Sequence, residues 1–127
     1  MMDVTLRRLM LACVLVLAAT VSGSAKTSRT SFDGSWSVLI ITDAGTCDRT
    51  YRYGIRIAEG QMHYDGGMGV VLSGQVTPKG NVRVMLSQGD AVAQGSGRLS
   101  KSTGSGKWQG ASPNLCCSGR WQAERGQ

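Results

Sequence analysis

Histidine, long apolar runs and clustered charge are all scarce in this chain of 127 residues. His63 is the only histidine, and no nucleophile stands in a defined relation to it, so the sequence lacks the constellation that catalysis needs. The apolar run at residues 9–19 is about half the length that a membrane-spanning helix requires. These absences argue against an enzyme and against a membrane protein built on helices.

Motifs for metal, phosphate and nucleic acid are missing as well. A zinc site lacks ligands once one disulfide has formed among the four cysteines. Gly66-Gly67-Met68-Gly69 lacks the lysine and the helix that follow a phosphate loop. The net charge is +6, but the basic residues are scattered, whereas a nucleic-acid binder concentrates them. We therefore expect no cofactor, no metal and no nucleic-acid partner.

The first 25 residues follow the pattern of a secretory signal peptide. Arg7 and Arg8 precede the apolar run, which contains Cys13, and small residues ending in Ala25 follow it. Cleavage after Ala25 would leave a polar leader, residues 26–31, and one small domain, residues 32–127. The sequence thus predicts a periplasmic or secreted protein with no transmembrane segment after cleavage.

From Gly34 onward, turn-forming residues divide the chain into short segments in which apolar and polar residues alternate. No window keeps the apolar spacing of an amphipathic helix for three turns. Because the gaps between the segments are short, each strand should pair antiparallel with the next. The predicted strands are residues 34–42, 50–58, 61–65, 70–77, 81–87, 91–99, 105–111 and 117–125.

Alternation gives these strands one apolar and one polar face. An eight-stranded meander buries its apolar face most simply by closing on itself, which also removes the two exposed edges. The sequence therefore predicts an all-β fold, a small up-and-down β-barrel, with a β-sandwich or a partly open barrel as alternatives. An outer-membrane barrel does not fit, because the outward positions are polar.

A glycine followed two residues later by a large apolar residue recurs, as in Gly106 and Trp108 or Gly119 and Trp121. Both residues of each pair face inward, and we expect the glycines to leave room for an indole of a neighbouring strand. Alternatively, five aromatic residues form a ligand cup at one barrel mouth, since barrels of this size can hold one small ligand. The five are Trp36, Tyr51, Tyr53, Trp108 and Trp121.

An exported chain meets oxidising conditions, so a disulfide is expected. If the last strand closes beside the first, Cys47 lies at the same barrel end as Cys116 and Cys117, whereas a bridge within that adjacent pair would be strained. Cys117 is in phase with the inward-facing Trp121, and Cys116 is in phase with the outward-facing Arg120. The alternation favours the pair Cys47–Cys117, with Cys47–Cys116 as the alternative.

Three stretches, FDGSWSVLIIT, GTCDRTYRY and CSGRWQAER, resemble those of a family of small exported bacterial proteins with no assigned function. In that family a single cysteine ahead of Ser-Gly-x-Trp corresponds to Cys117, and Cys116 is an addition. In architecture only, the strand count and the Gly-x-Trp usage are similar to avidin-type barrels and to periplasmic barrels that inhibit lysozymes or proteases. No ligand follows from this similarity, because none of their binding motifs is present.

The leading functional hypothesis is a non-enzymatic binding module of the cell envelope, a protein inhibitor included, whose partner is another envelope or extracellular protein. Loops on a rigid scaffold commonly carry recognition, so the candidate surface is the loop after the first strand with the arginines beside it. Its residues are Asp48, Arg49, Arg52, Arg56 and Arg120. The alternative hypothesis is a small-ligand carrier that uses the aromatic cup.

Overall fold

The computed structural model describes residues 31–126, which are all-β and contain no helix, hence none that could cross a membrane. Each strand in this part of the chain pairs antiparallel with the next, and the last pairs with the first, so the sheet closes. The predicted up-and-down barrel is confirmed, and neither alternative is formed. The strands are β1 Gly34–Ala44, β2 Thr50–Ala58, β3 Gln61–Tyr64, β4 Val71–Val76, β5 Asn81–Gln88, β6 Ala91–Leu99, β7 Thr103–Ser112 and β8 Leu115–Arg125.

The predicted signal peptide, residues 1–25, lies outside the described residues, as does the leader except for Ser31. Both therefore stay predictions, and the assignment of residues 32–127 to one domain also stays a prediction.

The turn between β2 and β3 shows how local sequence produces the hairpins. Glu59 and Gly60 both have positive φ, 55° and 76°, which is the backbone of a two-residue type I′ turn. The Asp33 carboxylate accepts hydrogen bonds from both amides of this turn, at 2.9 Å from Glu59 N and 3.4 Å from Gly60 N. The segment before β1 is thereby attached to the end of β2.

The buried side chains gather toward one end of the barrel, which we call the closed end. It is the end at which β1, β3, β5 and β7 begin and β2, β4, β6 and β8 finish. Full burial of a large apolar side chain contributes about 2 kcal/mol to folding, so much of the hydrophobic stabilisation is located here. The buried core consists of Phe32, Trp36, Ile55, Ile57, Val76, Val82, Leu99, Trp121 and Ala123.

Phe32 crosses the closed end and plugs it. The residue precedes β1, yet its ring lies against Gly80 in the turn between β4 and β5, on the opposite side of an eight-stranded barrel. Its carbonyl accepts a hydrogen bond from the Trp36 indole, N···O 2.8 Å. The Arg125 guanidinium then stacks on the Trp36 ring, 4.9 Å from its centroid, and donates hydrogen bonds to the carbonyls of Ser31 and Asp33.

We expect Arg125→Ala to lower the free energy of unfolding by about 2 kcal/mol, because it removes a cation–π contact and two charge-assisted hydrogen bonds. For a domain of this size, that loss lowers the melting temperature by about 10 °C. Thermal unfolding followed by circular dichroism measures the change. The exposed residue Lys101 provides a control, since Lys101→Ala should melt like the wild type; equal melting of the two variants would contradict the role assigned to Arg125.

Inward glycines make room for tryptophan rings, as predicted. The Trp121 indole extends from β8 across Gly106 in β7 and Gly97 in β6, and a Cβ on either glycine would overlap the ring. The Trp121 indole thus occupies the space that two neighbouring strands leave by having no side chain. Gly119, which is paired with Trp108 across the β7–β8 ladder, instead lets the Ile41 backbone approach closely.

Candidate ligand-binding cavity

A cavity of about 340 Å³ lies inside the barrel. Its wall consists mainly of inward-facing apolar side chains, and none of the described residues that line it is charged. The buried core residues form its floor at the closed end. The wall includes Val38, Ile40, Tyr51, Tyr53, Met62, Leu72, Val84, Leu86, Ala93, Trp108 and Leu115.

The cavity opens at the other end of the barrel, which we call the open end. Of the described residues near this end, only Thr42 and Cys117 are buried, whereas Gln88 and Ala91, which line the cavity at the β5–β6 turn, are exposed. No side chain comparable to Phe32 spans the opening in this part of the chain. The barrel is therefore a cup with one mouth.

A disulfide between Cys47 and Cys117 stands at the mouth. It confirms the pairing that the alternation favours, and its Cα–Cα distance of 6.2 Å lies within the usual range. The loop that carries Cys47 is also held by Thr42, whose hydroxyl donates to the Asp48 carbonyl at 2.6 Å and whose amide donates to the Arg49 carbonyl at 2.9 Å. The disulfide and these two hydrogen bonds therefore hold the loop in place at this side of the mouth.

The five residues of the predicted aromatic cup all line this one cavity. They are not all at the mouth, because Trp36, 3% exposed, and Trp121, 6% exposed, belong to the buried floor. Tyr51 is the second residue of β2, at the open end, and Tyr53 and Trp108 stand half-buried in the wall. The structure thus brings the five together around a cavity, and ligand binding by them stays a prediction.

The three indole N–H groups are already used within the protein. Trp36 donates to the Phe32 carbonyl, Trp108 donates to the Ile41 carbonyl at 3.0 Å, and Trp121 donates to the Ser96 carbonyl at 3.0 Å. A buried indole N–H normally requires such a partner. The tryptophans therefore present only their apolar surfaces to the cavity.

The two cavity tyrosines differ in their hydroxyl groups. The Tyr51 hydroxyl accepts a hydrogen bond from the Asp48 amide at 3.2 Å, whereas the Tyr53 hydroxyl has no hydrogen-bond partner among residues 31–126. Tyr53 contacts Tyr64 edge to face, with ring centroids 5.8 Å apart. Burial raises the pKa of Tyr53 above its ordinary value, with smaller contributions from Tyr51 and Tyr64. The shift favours the protonated phenol, which is already the form that a tyrosine has at neutral pH.

The predicted protein-binding surface lies on the outer wall and in the loop at the open end. Arg52 and Arg120 flank β1 from either side, opposite Leu39 and Ile41 in the register of β1 with its two neighbours. Arg52 donates to the Ser37 hydroxyl at 3.2 Å. The five predicted residues are therefore spread over two strands, β2 and β8, and a loop, and they do not converge on one pocket. They are Asp48, Arg49, Arg52, Arg56 and Arg120.

Arg120 is already paired with a carboxylate. Its Nε and one of its terminal nitrogens donate to the two Asp43 oxygens at 2.9 and 3.1 Å. The pair lowers the pKa of Asp43 and raises the pKa of Arg120. Both side chains are exposed, so the pair contributes little to stability. Its main effect is that the Arg120 guanidinium, which the predicted surface would use to bind a partner, already has a carboxylate partner within the protein.

The residues with chemically reactive side chains stand apart from one another. His63 is exposed on the outer face of β3, opposite Arg56, and Cys116 is an exposed free thiol on the outer face of β8. Within residues 31–126 no group of three or more histidine, cysteine or acidic side chains could hold a metal ion. Neither residue contributes to the cavity.

Sequence reasoning missed the aliphatic part of the cavity wall. It also missed the two residues that close the other end, Phe32 and the Arg125 that holds its segment in place. Alternation marks Leu72, Val84 and Leu86 as inward, but it does not distinguish a filled interior from a hollow one. Arg125 is in phase with Trp121, and this phase was the one signal of its inward position. For Phe32, which precedes the first strand, no periodic signal exists.

These features define a closed eight-stranded antiparallel barrel with one apolar cavity and one mouth. In comparisons with known proteins, no family model, no curated protein and no solved structure matches the chain. The resemblance of the three sequence stretches to an exported bacterial family is therefore a prediction that these comparisons do not test. The Cys47–Cys117 disulfide is typical of proteins outside the cytoplasm.

Proposed function

We propose that this protein is a non-enzymatic binding module that holds one small, predominantly apolar ligand in the barrel. The observation that carries the proposal is the one-mouthed apolar cavity of about 340 Å³. Pockets for small molecules are concave, mostly apolar and at least roughly 300 Å³ in volume, and barrels with eight strands commonly hold one such ligand. The small-ligand carrier, which was the alternative hypothesis from the sequence, is thus better supported than the leading one, a module that binds another protein.

The chemistry of the wall supports the same conclusion. Water in a cavity needs two to four polar partners, and an apolar cavity of roughly 150 Å³ can bind benzene instead of water. The cavity here is larger, and its wall offers few polar groups. An apolar molecule would therefore be more stable inside this barrel than in the surrounding water.

Export to the periplasm or the exterior belongs to the proposal. The signal-like residues 1–25 and the disulfide both support it. Binding of another envelope protein, as by an inhibitor, stays a prediction for the outer surface. The structure adds no support for such binding, because Arg52 is hydrogen-bonded to Ser37 and Arg120 is paired with Asp43.

The uncharged dye N-phenyl-1-naphthylamine should bind the disulfide-intact protein with one-site saturation and a rise in its fluorescence, because the cavity removes it from water. Ala93 points into the cavity from β6, so Ala93→Phe should fill part of the space and weaken dye binding at least about tenfold. Titration of dye fluorescence measures both. Fluorescence energy transfer from tryptophan to the bound dye provides a second readout, since Trp108 lines the wall.

Ser105→Phe is the matched control, because it adds the same ring to the outer face of β7, where Ser105 is exposed. It should bind the dye like the wild type. If Ala93→Phe unfolds, Leu86→Trp narrows the cavity from the adjacent strand. A wild-type protein that shows no saturable dye binding, or cavity variants that bind it unchanged, would refute the proposed function.

A further inference from the structure

The polar groups that reach the cavity are few, and their positions restrict what a ligand can be. Gln88 and Ser112 stand at the ends of β5 and β7, at the rim. Gln94 belongs to the outward set of β6, in register with Met85, and it is exposed. These side chains border the mouth and the wall but provide no polar group at the centre of the cavity.

Of the five aromatic residues that line the cavity, four have a polar group that is already hydrogen-bonded within the protein. The indole N–H groups of Trp36, Trp108 and Trp121 donate to backbone carbonyls, and Tyr51 accepts from the Asp48 amide. The Tyr53 hydroxyl is the exception, because no described residue hydrogen-bonds to it. It is half-buried, and its ring is held against Tyr51 and Tyr64. An unpaired hydroxyl on a fixed ring in an apolar wall suits a ligand's polar atom.

The absence of charge from the lining residues adds a second restriction. Transfer of an ionised group into an apolar interior without a partner of opposite charge is strongly unfavourable. None of the described lining residues is acidic or basic, and the Asp43–Arg120 pair lies on the outer wall. A carboxylate or ammonium group inside the cavity would thus lose its hydration and gain no counter-charge.

We propose that the ligand is an uncharged molecule with an apolar body and one hydrogen-bonding oxygen, and that the Tyr53 hydroxyl binds this oxygen. The inference rests on the proposed function and names its ligand class. A tyrosine phenol is protonated at neutral pH, and burial raises the pKa of Tyr53 further, so Tyr53 can donate to a carbonyl or a hydroxyl oxygen. The apolar surfaces of the tryptophans pack against the rest of the ligand.

The test is displacement of N-phenyl-1-naphthylamine by three competitors of similar size at about pH 8, where a carboxyl group is ionised. They are hexylbenzene, which has no polar atom, 5-phenylpentan-2-one, which has one carbonyl, and 4-phenylbutanoate, which is charged. Tyr53→Phe should weaken the ketone about fivefold, the value of one neutral hydrogen bond, and change hexylbenzene less than about twofold. The carboxylate should displace the dye at least about tenfold more weakly than the ketone.

Tyr64→Phe is the control, because Tyr64 contacts the Tyr53 ring but does not line the cavity. It should leave all three affinities unchanged. Equal weakening of the ketone and hexylbenzene by Tyr53→Phe would show that Tyr53 only shapes the wall, and strong binding of the carboxylate would show that the cavity accepts charge. Either result overturns this inference while dye binding still supports the proposed function, whereas loss of dye binding by the wild type refutes both.

Discussion

Cys47→Ser should lower the melting temperature by about 20 °C, the largest stability change that we expect for a single substitution in this protein. The disulfide closes a loop of 70 residues in a small barrel. On the chain-entropy model, a cross-link of this span stabilises the folded state by about 4 kcal/mol. A domain of this size loses roughly 4–8 °C of melting temperature per kcal/mol. Differential scanning calorimetry of the two proteins measures the shift.

Cys116→Ser is the matched control for this substitution. Cys116 neighbours Cys117 in sequence, but it is exposed and unpaired among the described cysteines, so its replacement should leave the melting temperature within about 2 °C of the wild type. A reductant should destabilise the wild type and Cys116→Ser alike, and it should leave Cys47→Ser unaffected. If Cys116→Ser melts as low as Cys47→Ser, the assignment of the bridge to Cys117 is wrong.

Gly106→Val should destabilise the barrel by at least about 3 kcal/mol. A side chain on Gly106 would overlap both the Trp121 indole and the Ser96 carbonyl, and the carbonyl belongs to backbone that is paired in the sheet. The barrel must then displace the indole from its hydrogen bond with Ser96 or separate β6 from β7. Equilibrium unfolding in urea, followed by tryptophan fluorescence, measures the loss.

Gly54→Val tests whether position, and not merely the loss of a strand glycine, causes this effect. Gly54 also lies within a strand, but a Cβ there meets nothing closer than the Asp65 Cβ at 3.8 Å. Valine favours extended backbone, so this variant should match or exceed the stability of the wild type. Equal destabilisation of both variants would mean that Trp121 does not explain the glycine at 106.

Alternation and turn residues predicted most of the barrel because both signals are local. The Glu59-Gly60 turn, for example, separates two strands whose predicted limits are within one residue of those observed. The disulfide also followed from local phase, since Cys117 shares its face with Trp121. These predictions needed only the period of a strand and the fact that a meander closes by joining its first and last strands.

The cavity could not be predicted in the same way. Whether a barrel is filled depends on the summed volumes of side chains from all eight strands, which sequence neighbours do not reveal. The plug is equally non-local, because Phe32 meets Gly80 and Arg125 meets Trp36 over separations of 48 and 89 residues along the chain. Sequence reasoning thus identified five aromatic residues of the interior but placed Trp36 and Trp121 at a mouth, whereas both lie on the floor.

Both ends of the described segment emerge at the closed end. The Gly126 amide donates to the Ser35 carbonyl at 2.7 Å, and Arg125 reaches the Ser31 carbonyl, so the two ends are neighbours. A tag or a surface linker joined at either end would therefore project away from the mouth. Molecules immobilised through a linker that follows Gly126 would present their openings to the solution in one orientation, which suits a surface-based sensor for small hydrophobic analytes.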